Sequence, residues 1–396
     1  MVAGLLWSSY DAVTVNATPA CKGRVAGNAM WPSRRVLIAY SSPQPNRQYE
    51  DTGMQTPRTL DFDMQVAIDI GSGWTNTRAT FPGEKEPREI LFASRVARAP
   101  DAWREHFGAT QSRVVRFNET DWLIGAAVRT FGAQPEDTLQ DEWALSDGWL
   151  ALFYSALADL VPETGRPLRV AVATGLPQAR YKAQERAVVE RLLGEHRCEV
   201  NGSVYMFLVE QCFVAPQATA ALLYQAKRDP GMEGDCGCID IGTYTTGLAV
   251  IDMESMSLLA PRSTGTRVGV ANLLRALGAF LRERHGVTLD EARLMGALRE
   301  RAVRVRGESV DLSAAVAQIS VQEAKPILEF VQAAWGGAAD LDVYLAGGGA
   351  ELFADAIRTA VPHAKIIPDP QWAVARGLGV WLEEMLEALK GVREAI

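Results

Sequence analysis

From residue 64 onward, short apolar blocks alternate with longer amphipathic stretches. "VAIDI" (66–70) is a β-branched run of strand length closed by Gly71, and a second strand is expected over 77–81. "DWLIGAA", from Asp121, predicts a strand entering a helix, and "LRVAVATGLP" (168–177) predicts an apolar strand ended by a Gly and Pro break. Over 178–193, Tyr181, Val188, Val189, Leu192 and Leu193 recur at helical spacing. A strand from Val204 and a helix over 214–224, with Pro216 near its first turn, follow. After the polar break at 227–234, a second strand pair is expected over 238–252. Helices are predicted over 270–284 and 313–335, the latter split or kinked by Pro326. "DVYLAGGG", from Asp342, is a strand into a glycine turn that opens a helix at Ala350, and 372–389 predicts a closing amphipathic helix. Strands and helices interleave, and a strand ending in Asp-x-Gly occurs twice. The pattern predicts an α/β protein of two similar halves facing each other.

Residues 1–63 do not share this pattern. "SSPQPNRQYEDTGM" (41–54) is polar and turn-rich with no sustained period, and the opening apolar run is too short and lacks a basic flank for a signal peptide. The segment is expected to be a disordered extension. Met64, directly before the first convincing strand, is a candidate start of the natural chain.

Composition sets limits on function. A chain of 396 residues, 48% hydrophobic and 22% charged, is globular and long enough for more than one core. The net charge of −8 excludes a dedicated nucleic-acid surface, and no apolar run is long enough to span a membrane. Five cysteines, an odd number without Cys-x-x-Cys spacing, predict buried reduced thiols and a cytoplasmic setting. The four histidines lack ligand spacing to one another, Trp143 and Trp149 are expected in the core, and "RERAVRVR" (299–306) is expected at a solvated helix end.

The candidate chemistry lies in the glycine turns. In "DIGSGWTNTR" (69–78) and "DIGTYTTG" (240–247), glycines let backbone N–H groups converge on one spot, and Ser72, Thr75, Thr243 and Thr245 add hydroxyl donors for phosphate oxygens. A strand-end aspartate facing that spot would repel phosphate unless a divalent cation lay between them. Asp69 and Asp240 therefore imply Mg²⁺, held through water. Arg78 offers a fixed positive charge nearby. Gly347, Gly348 and Gly349, between a strand and a helix, make a surface for a purine ring or an α-phosphate.

These stretches resemble the actin-like ATPases, in particular the ParM-type and archaeal-actin branch. "IDIGSGWTNTR" and "IDIGTYTTG" resemble the two phosphate motifs of that family, and "YLAGGGAELF" its adenosine motif. "ATGLP" (173–177) and "DPQWAVARG" (369–377) resemble stretches more particular to the branch. The resemblance runs in order from about Met64 to Leu389. It implies an actin/ribonuclease-H-like fold with a first domain over 64–230, to which 371–391 returns, and a second over 231–370. The implied nucleotide is ATP, with GTP the alternative, bound with Mg²⁺ by Gly71, Ser72, Gly73, Thr75, Asn76, Arg78, Gly242, Thr243, Tyr244, Thr245, Gly347, Gly348, Gly349 and Glu351. Gln217 would orient the attacking water, with Asp240 as water or metal ligand. Arg78 stands where the family often has lysine, and Trp74 is bulky for a phosphate loop.

The implied activity is ATP hydrolysis coupled to filament formation by copies of this chain. Cargo would be plasmid or other DNA reached through an adaptor, since the chain lacks a basic face. A non-polymerising nucleotide switch and a small-molecule kinase are the alternatives on the same fold. A DnaK-type chaperone is set aside, because only residues 378–396 follow Gly377.

Overall fold

A computed structural model describes residues 60–394 apart from 102, 104–112 and 164. β1 (Met64–Ile70) pairs antiparallel with β2 (Trp74–Thr80), which borders the edge strand β3 (Arg88–Ala93). On its other side β1 runs parallel to β7 (Leu168–Leu176), and β7 runs parallel to β9 (Ser203–Pro216). With β4 (Val96–Arg98), β5 (Val114–Phe117), β6 (Thr120–Ile124) and β8 (Gly194–Val200), the first sheet has the order β3-β2-β1-β7-β9-β8-β5-β6-β4.

The second sheet repeats this centre. β10 (Asp235–Ile241) pairs antiparallel with β11 (Thr246–Asp252) and parallel with β16 (Asp342–Ala346), which runs parallel to β17 (Lys365–Ile366). β12 (Ser257–Leu258) and β13 (Thr264–Thr266) flank β11, while β14 (Ala302–Val305) and β15 (Glu308–Asp311) form a separate ribbon. Antiparallel, parallel, parallel around the Asp-x-Gly strand occurs in both sheets. This is the doubled α/β architecture expected from the recurring motif.

The helices are α1 (Ala126–Thr130), α2 (Asp147–Ala158), α3 (Tyr181–Leu192), α4 (Gln217–Arg228), α5 (Val270–His285), α6 (Glu291–Glu300), α7 (Ser313–Glu323), α8 (Lys325–Trp335), α9 (Ala350–Arg358) and α10 (Ala373–Glu394). One core packs Trp149, Phe153 and Leu157 of α2 with Val66, Ile68 and Val172 of the first sheet. A second joins Leu277 of α5, Ile327 of α8 and Phe353 of α9 to Ile239, Val250 and Leu345. A third, built on α4 and α10, joins Ala67, Ala171 and Ala173 of the first sheet to Cys236, Cys238 and Tyr344 of the second. Small residues on these inner faces let the two helices lie between the sheets. Their approach is close enough that a Cβ on Gly377 would overlap the Ala220 carbonyl.

Side chains alternate along a strand, so this packing decides where the carboxylates go. Val66, Ile68 and Ile70 of β1 fill the first core, which leaves Ala67 and Asp69 on the inner face. Ile239 and Ile241 of β10 fill the second core, which leaves Cys238 and Asp240 on the inner face.

Several boundaries differ from the sequence reading. β2 starts at Trp74, three residues early, because the hairpin already pairs Thr75 with Ile70. β9 continues through Pro216, paired with Leu176 of β7, so α4 begins at Gln217 and not at 214. The stretch 313–335 does split, at Ala324 just before Pro326. Of the 299–306 run, Arg299 and Glu300 end α6 and Arg301 caps it at φ 50°, as a helix end requires, but the chain then continues as β14. Residues 60–63, assigned by sequence to the extension, pack on the body. Phe62 is buried, and Asp63 accepts hydrogen bonds from Arg166 at 2.6 and 2.8 Å.

The other expectations for the extension, together with Cys21 and His106, fall outside the described residues. Cys198, Cys212, Cys236 and Cys238 are buried free thiols. No helix among the described residues is long and apolar enough to cross a membrane.

Candidate functional site

The two Asp-x-Gly hairpins meet in a cleft. Each closes with the same hydrogen bond, from Gly71 N–H to Trp74 O at 3.0 Å and from Gly242 N–H to Thr245 O at 2.8 Å. Their tips touch: a Cβ on Gly73 would lie 2.8 Å from Thr243 Cβ, so only glycine lets the loops approach this closely. Gly347 takes a left-handed conformation (φ +83°), and a Cβ there would meet Asp240 Oδ1 at 2.6 Å. The third glycine turn therefore backs directly onto the second carboxylate.

Asp69 and Asp240 both line the cleft and are mostly shielded from solvent, at 7% and 9% exposure. Burial pushes the Asp69 carboxyl up to about 6, against hydrogen bonds from Gln217 and Asn76 that favour its charged form. Burial, and then the neighbouring charge of Asp69, push Asp240 up to about 7. A cation between them would favour the charged form of both carboxylates against this burial.

Gln217 is the first residue of α4 and donates from Nε2 to Asp69 Oδ1 at 2.7 Å. It reaches Asp69 across Gly175, where a Cβ would lie 2.9 Å from Gln217 Cγ. This contact gives the glycine of "ATGLP" a physical role. In "DPQWAVARG", Gln371 lies against Gly348 and donates to Asn76 Oδ1 at 3.4 Å, while Arg376 pairs with Glu89 at 2.9 Å and Asp369 at 2.8 Å.

Of the residues singled out by sequence, Asp69, Gly71, Ser72, Gly73, Asn76, Gln217, Asp240, Gly242, Thr243, Thr245, Gly347 and Gly348 line this cleft. Others are placed elsewhere. Thr75 is fully buried on the opposite strand face, its hydroxyl 2.9 Å from that of Ser94. Arg78 shares a strand face with Asn76, but two residues further along β2 it lies beside Gly379 of α10, 3.7 Å from Glu89. Gly349 caps α9, with its N–H bonded to Ile241 O, and Glu351 is exposed on that helix. Tyr244 turns to the rim, where its hydroxyl donates to Glu291 at 3.5 Å.

Sequence reading missed the arginines of the cleft, Arg180, Arg267 and Arg299. Arg180 follows "ATGLP" by three residues and Arg299 opens the run expected at a solvated helix end, but neither stretch marks an arginine for this cleft, and no motif marks Arg267. Trp143 and Trp149 are buried, as expected, and also form cleft wall. At one end, contacts between the two sides close the mouth. Arg95 lies 3.4 Å from Glu291, Arg129 lies 3.4 Å from Asp290, and the Arg299 guanidinium sits 5.2 Å from the Trp74 ring centroid.

Among the described residues no group of three or more His, Cys, Asp or Glu is arranged to hold a metal ion by itself. Two carboxylates facing a phosphate-sized cradle suit Mg²⁺, which keeps waters and shares its shell with substrate phosphates. The hairpin glycines and hydroxyls suit the phosphates.

Residues 67–219 match the N-terminal domain family of actin-like proteins, and residues 238–359 match the C-terminal family of the archaeal actin homologue MreB-like. Among solved structures, the chain is similar to Ta0583, an archaeal actin homologue (TM-score 0.67, 21% identity, covering 81% of this chain and 99% of that one), which has also been solved in complex with ADP. It is similar to the ParM of a 15-stranded filament from Clostridium botulinum (TM-score 0.67, 20% identity, 82% and 100% covered). It is also similar to Bacillus thuringiensis ParM with AMPPNP (TM-score 0.61, 15% identity, 83% and 100% covered). No curated protein matches the sequence. With both of its sheets matched in order to actin-type families and the actin fold recovered over four-fifths of its length, the chain belongs to the actin-like protein superfamily.

Proposed function

We propose that this protein binds Mg²⁺–ATP in the cleft, hydrolyses it, and assembles with its own copies into filaments whose lifetime the hydrolysis sets. The observation that carries the proposal is the pair of strand-end carboxylates, Asp69 and Asp240, buried on facing sheets beside two touching glycine hairpins. The ADP and AMPPNP of the solved relatives support a nucleotide in this cleft, and the Clostridium botulinum filament supports self-assembly. Residues 64–230 with 371–391, and residues 231–370, would then be the two bodies that close on the nucleotide. Positioning of DNA through a separate adaptor is the cellular use most in keeping with the ParM likeness.

Asp69 and Asp240 would hold Mg²⁺ through water, and the ion would supply charge neutralisation at the phosphates. The chain's own part is positioning. Backbone N–H groups inside the turns, at 72–73 and 243–245, orient the phosphate chain, since those of Gly71 and Gly242 close the hairpins. Asp69 holds the Gln217 amide nitrogen, which leaves Gln217 Oε1 to accept a hydrogen bond from the attacking water. A glutamine is no strong base, so its contribution is orientation of that water.

The test is right-angle light scattering of the full chain, with phosphate release followed in parallel. Scattering that grows with Mg²⁺–ATP, fails with ADP and decays as phosphate appears is expected. Hydrolysis without scattering at any protein concentration would leave a nucleotide switch and remove the filament.

A further inference from the structure

The cleft's cations are unequal. Arg299 sits at the rim over Trp74, whereas Arg180 and Arg267 flank the recess that also holds Gln217, Asp240 and Thr245. Arg180 is fixed. Its guanidinium donates to the carbonyls of Leu139 (3.1 Å) and Gln140 (2.8 Å) and to Asp141 Oδ1 (2.9 Å), and its side chain is 21% exposed.

Arg267 enters from the other side of the cleft, directly after β13, and pairs with the same Asp141 Oδ1. Both members of that pair are largely in solvent, at 62% and 77% exposure. Exposed pairs contribute little, and here two guanidiniums share one oxygen, so Arg267 gives up little on leaving it. A terminal phosphate carries more charge than a carboxylate and accepts the guanidinium fork in bidentate fashion. Arg78, the cation expected at the phosphates from sequence, lies beside α10 and leaves that role open.

Resting on the nucleotide reading above, we propose that Arg267 distinguishes triphosphate from diphosphate, turning from Asp141 to the γ-phosphate when a nucleoside triphosphate fills the cleft and staying on Asp141 when a diphosphate does. Because Arg267 follows β13 of the second sheet and Asp141 lies on the first-sheet side, the exchange replaces a link across the cleft by a link through the nucleotide.

The test compares fluorescent mant-AMPPNP and mant-ADP binding, with Mg²⁺, to the full-length protein and to Arg267→Ala, Arg267→Lys and Asp141→Asn. Arg267→Ala is expected to weaken the triphosphate analogue by about tenfold or more and ADP by less than about twofold, as loss of a charge-assisted contact made to one ligand alone requires. Arg267→Lys, which keeps the charge but not the fork, should fall between, and Asp141→Asn should raise the preference for the triphosphate. Thermal melts of each variant separate these effects from loss of fold. Equal loss for both nucleotides would make Arg267 a structural clasp, and no loss for either would remove it from the site; both overturn the inference while leaving nucleotide binding intact. A wild-type protein that binds neither nucleotide would refute the nucleotide reading and this inference with it.

Discussion

The Gln217 amide nitrogen lies 2.7 Å from Asp69 Oδ1, so the first residue of α4 is tied to the strand-end carboxylate of β1. The bond orients Gln217, which lines the same recess as Asp240. Gln217→Ala is expected to slow phosphate release by about 10- to 100-fold, the range that misplacement of a reactant produces. Nucleotide affinity should change only a few-fold. Single-turnover phosphate release together with mant-ADP binding measures both, and an equal loss in the two would place Gln217 in binding instead of positioning.

The buried carboxylates predict a pH dependence of stability. The unfolded chain has ordinary aspartates near 4, whereas Asp69 and Asp240 are raised to about 6 and about 7 by burial. Between those limits the folded protein binds more protons than the unfolded one, so these two groups favour folding most below pH 4, and that contribution is lost as pH rises to about 7. Without nucleotide, the melting temperature of wild type relative to Asp240→Asn should therefore fall between pH 5 and pH 8. A difference that stays flat over this window would contradict the burial of a titrating Asp240.

Gly347 is held at φ +83° with Asp240 Oδ1 where a Cβ would stand. Gly347→Ala forces a strained backbone against a carboxylate, and should cost about 1–3 kcal/mol of stability in urea unfolding. Nucleotide affinity should drop as well. Gly83, also at positive φ but with nothing within 4 Å of its Cβ position, is the control that isolates the contact from the backbone strain.

At the rim, Arg129 faces Asp290 and Arg95 faces Glu291, in pairs that are partly exposed. Removing one such pair alters little, at about 0.2–1 kcal/mol. Charge reversal goes further, and Arg129→Asp or Asp290→Arg alone should speed mant-ADP release by about 3- to 10-fold at low salt. The double exchange should restore the rate, and a double variant no slower than the singles would show that the pair does not hold the mouth.

What could be read from sequence and what could not divides along locality. Asp69 and Asp240 were legible because each sits inside a contiguous strand–glycine–strand segment, and the doubling of that segment in turn revealed the two-sheet fold. Positions decided by how far along the strand, or on which of its faces, a residue falls were not legible. Arg78 has the right charge in the right motif, but two residues beyond Asn76 it passes the end of the cleft and meets Glu89 and α10. Thr75 likewise falls on the opposite face, against Ser94. Arg180 and Arg267 reach the cleft through chain segments that carry no glycine motif, and they share Asp141, which lies in a stretch without periodic pattern. The start of α4 was misplaced because parallel pairing of β9 with β7 runs through Pro216, a tertiary contact that local propensity does not report.

In the proposed function Asp69 and Asp240 jointly hold a Mg²⁺-bound nucleotide. Calorimetric titration of ATP into the full chain, with Mg²⁺ and then with EDTA, tests it most directly. Binding should be tighter with Mg²⁺ by about tenfold or more, and that gap should close in the Asp69→Asn, Asp240→Asn double variant while the fold persists by circular dichroism. ATP binding indifferent to Mg²⁺ or to the double variant, or no binding at all, would contradict the account.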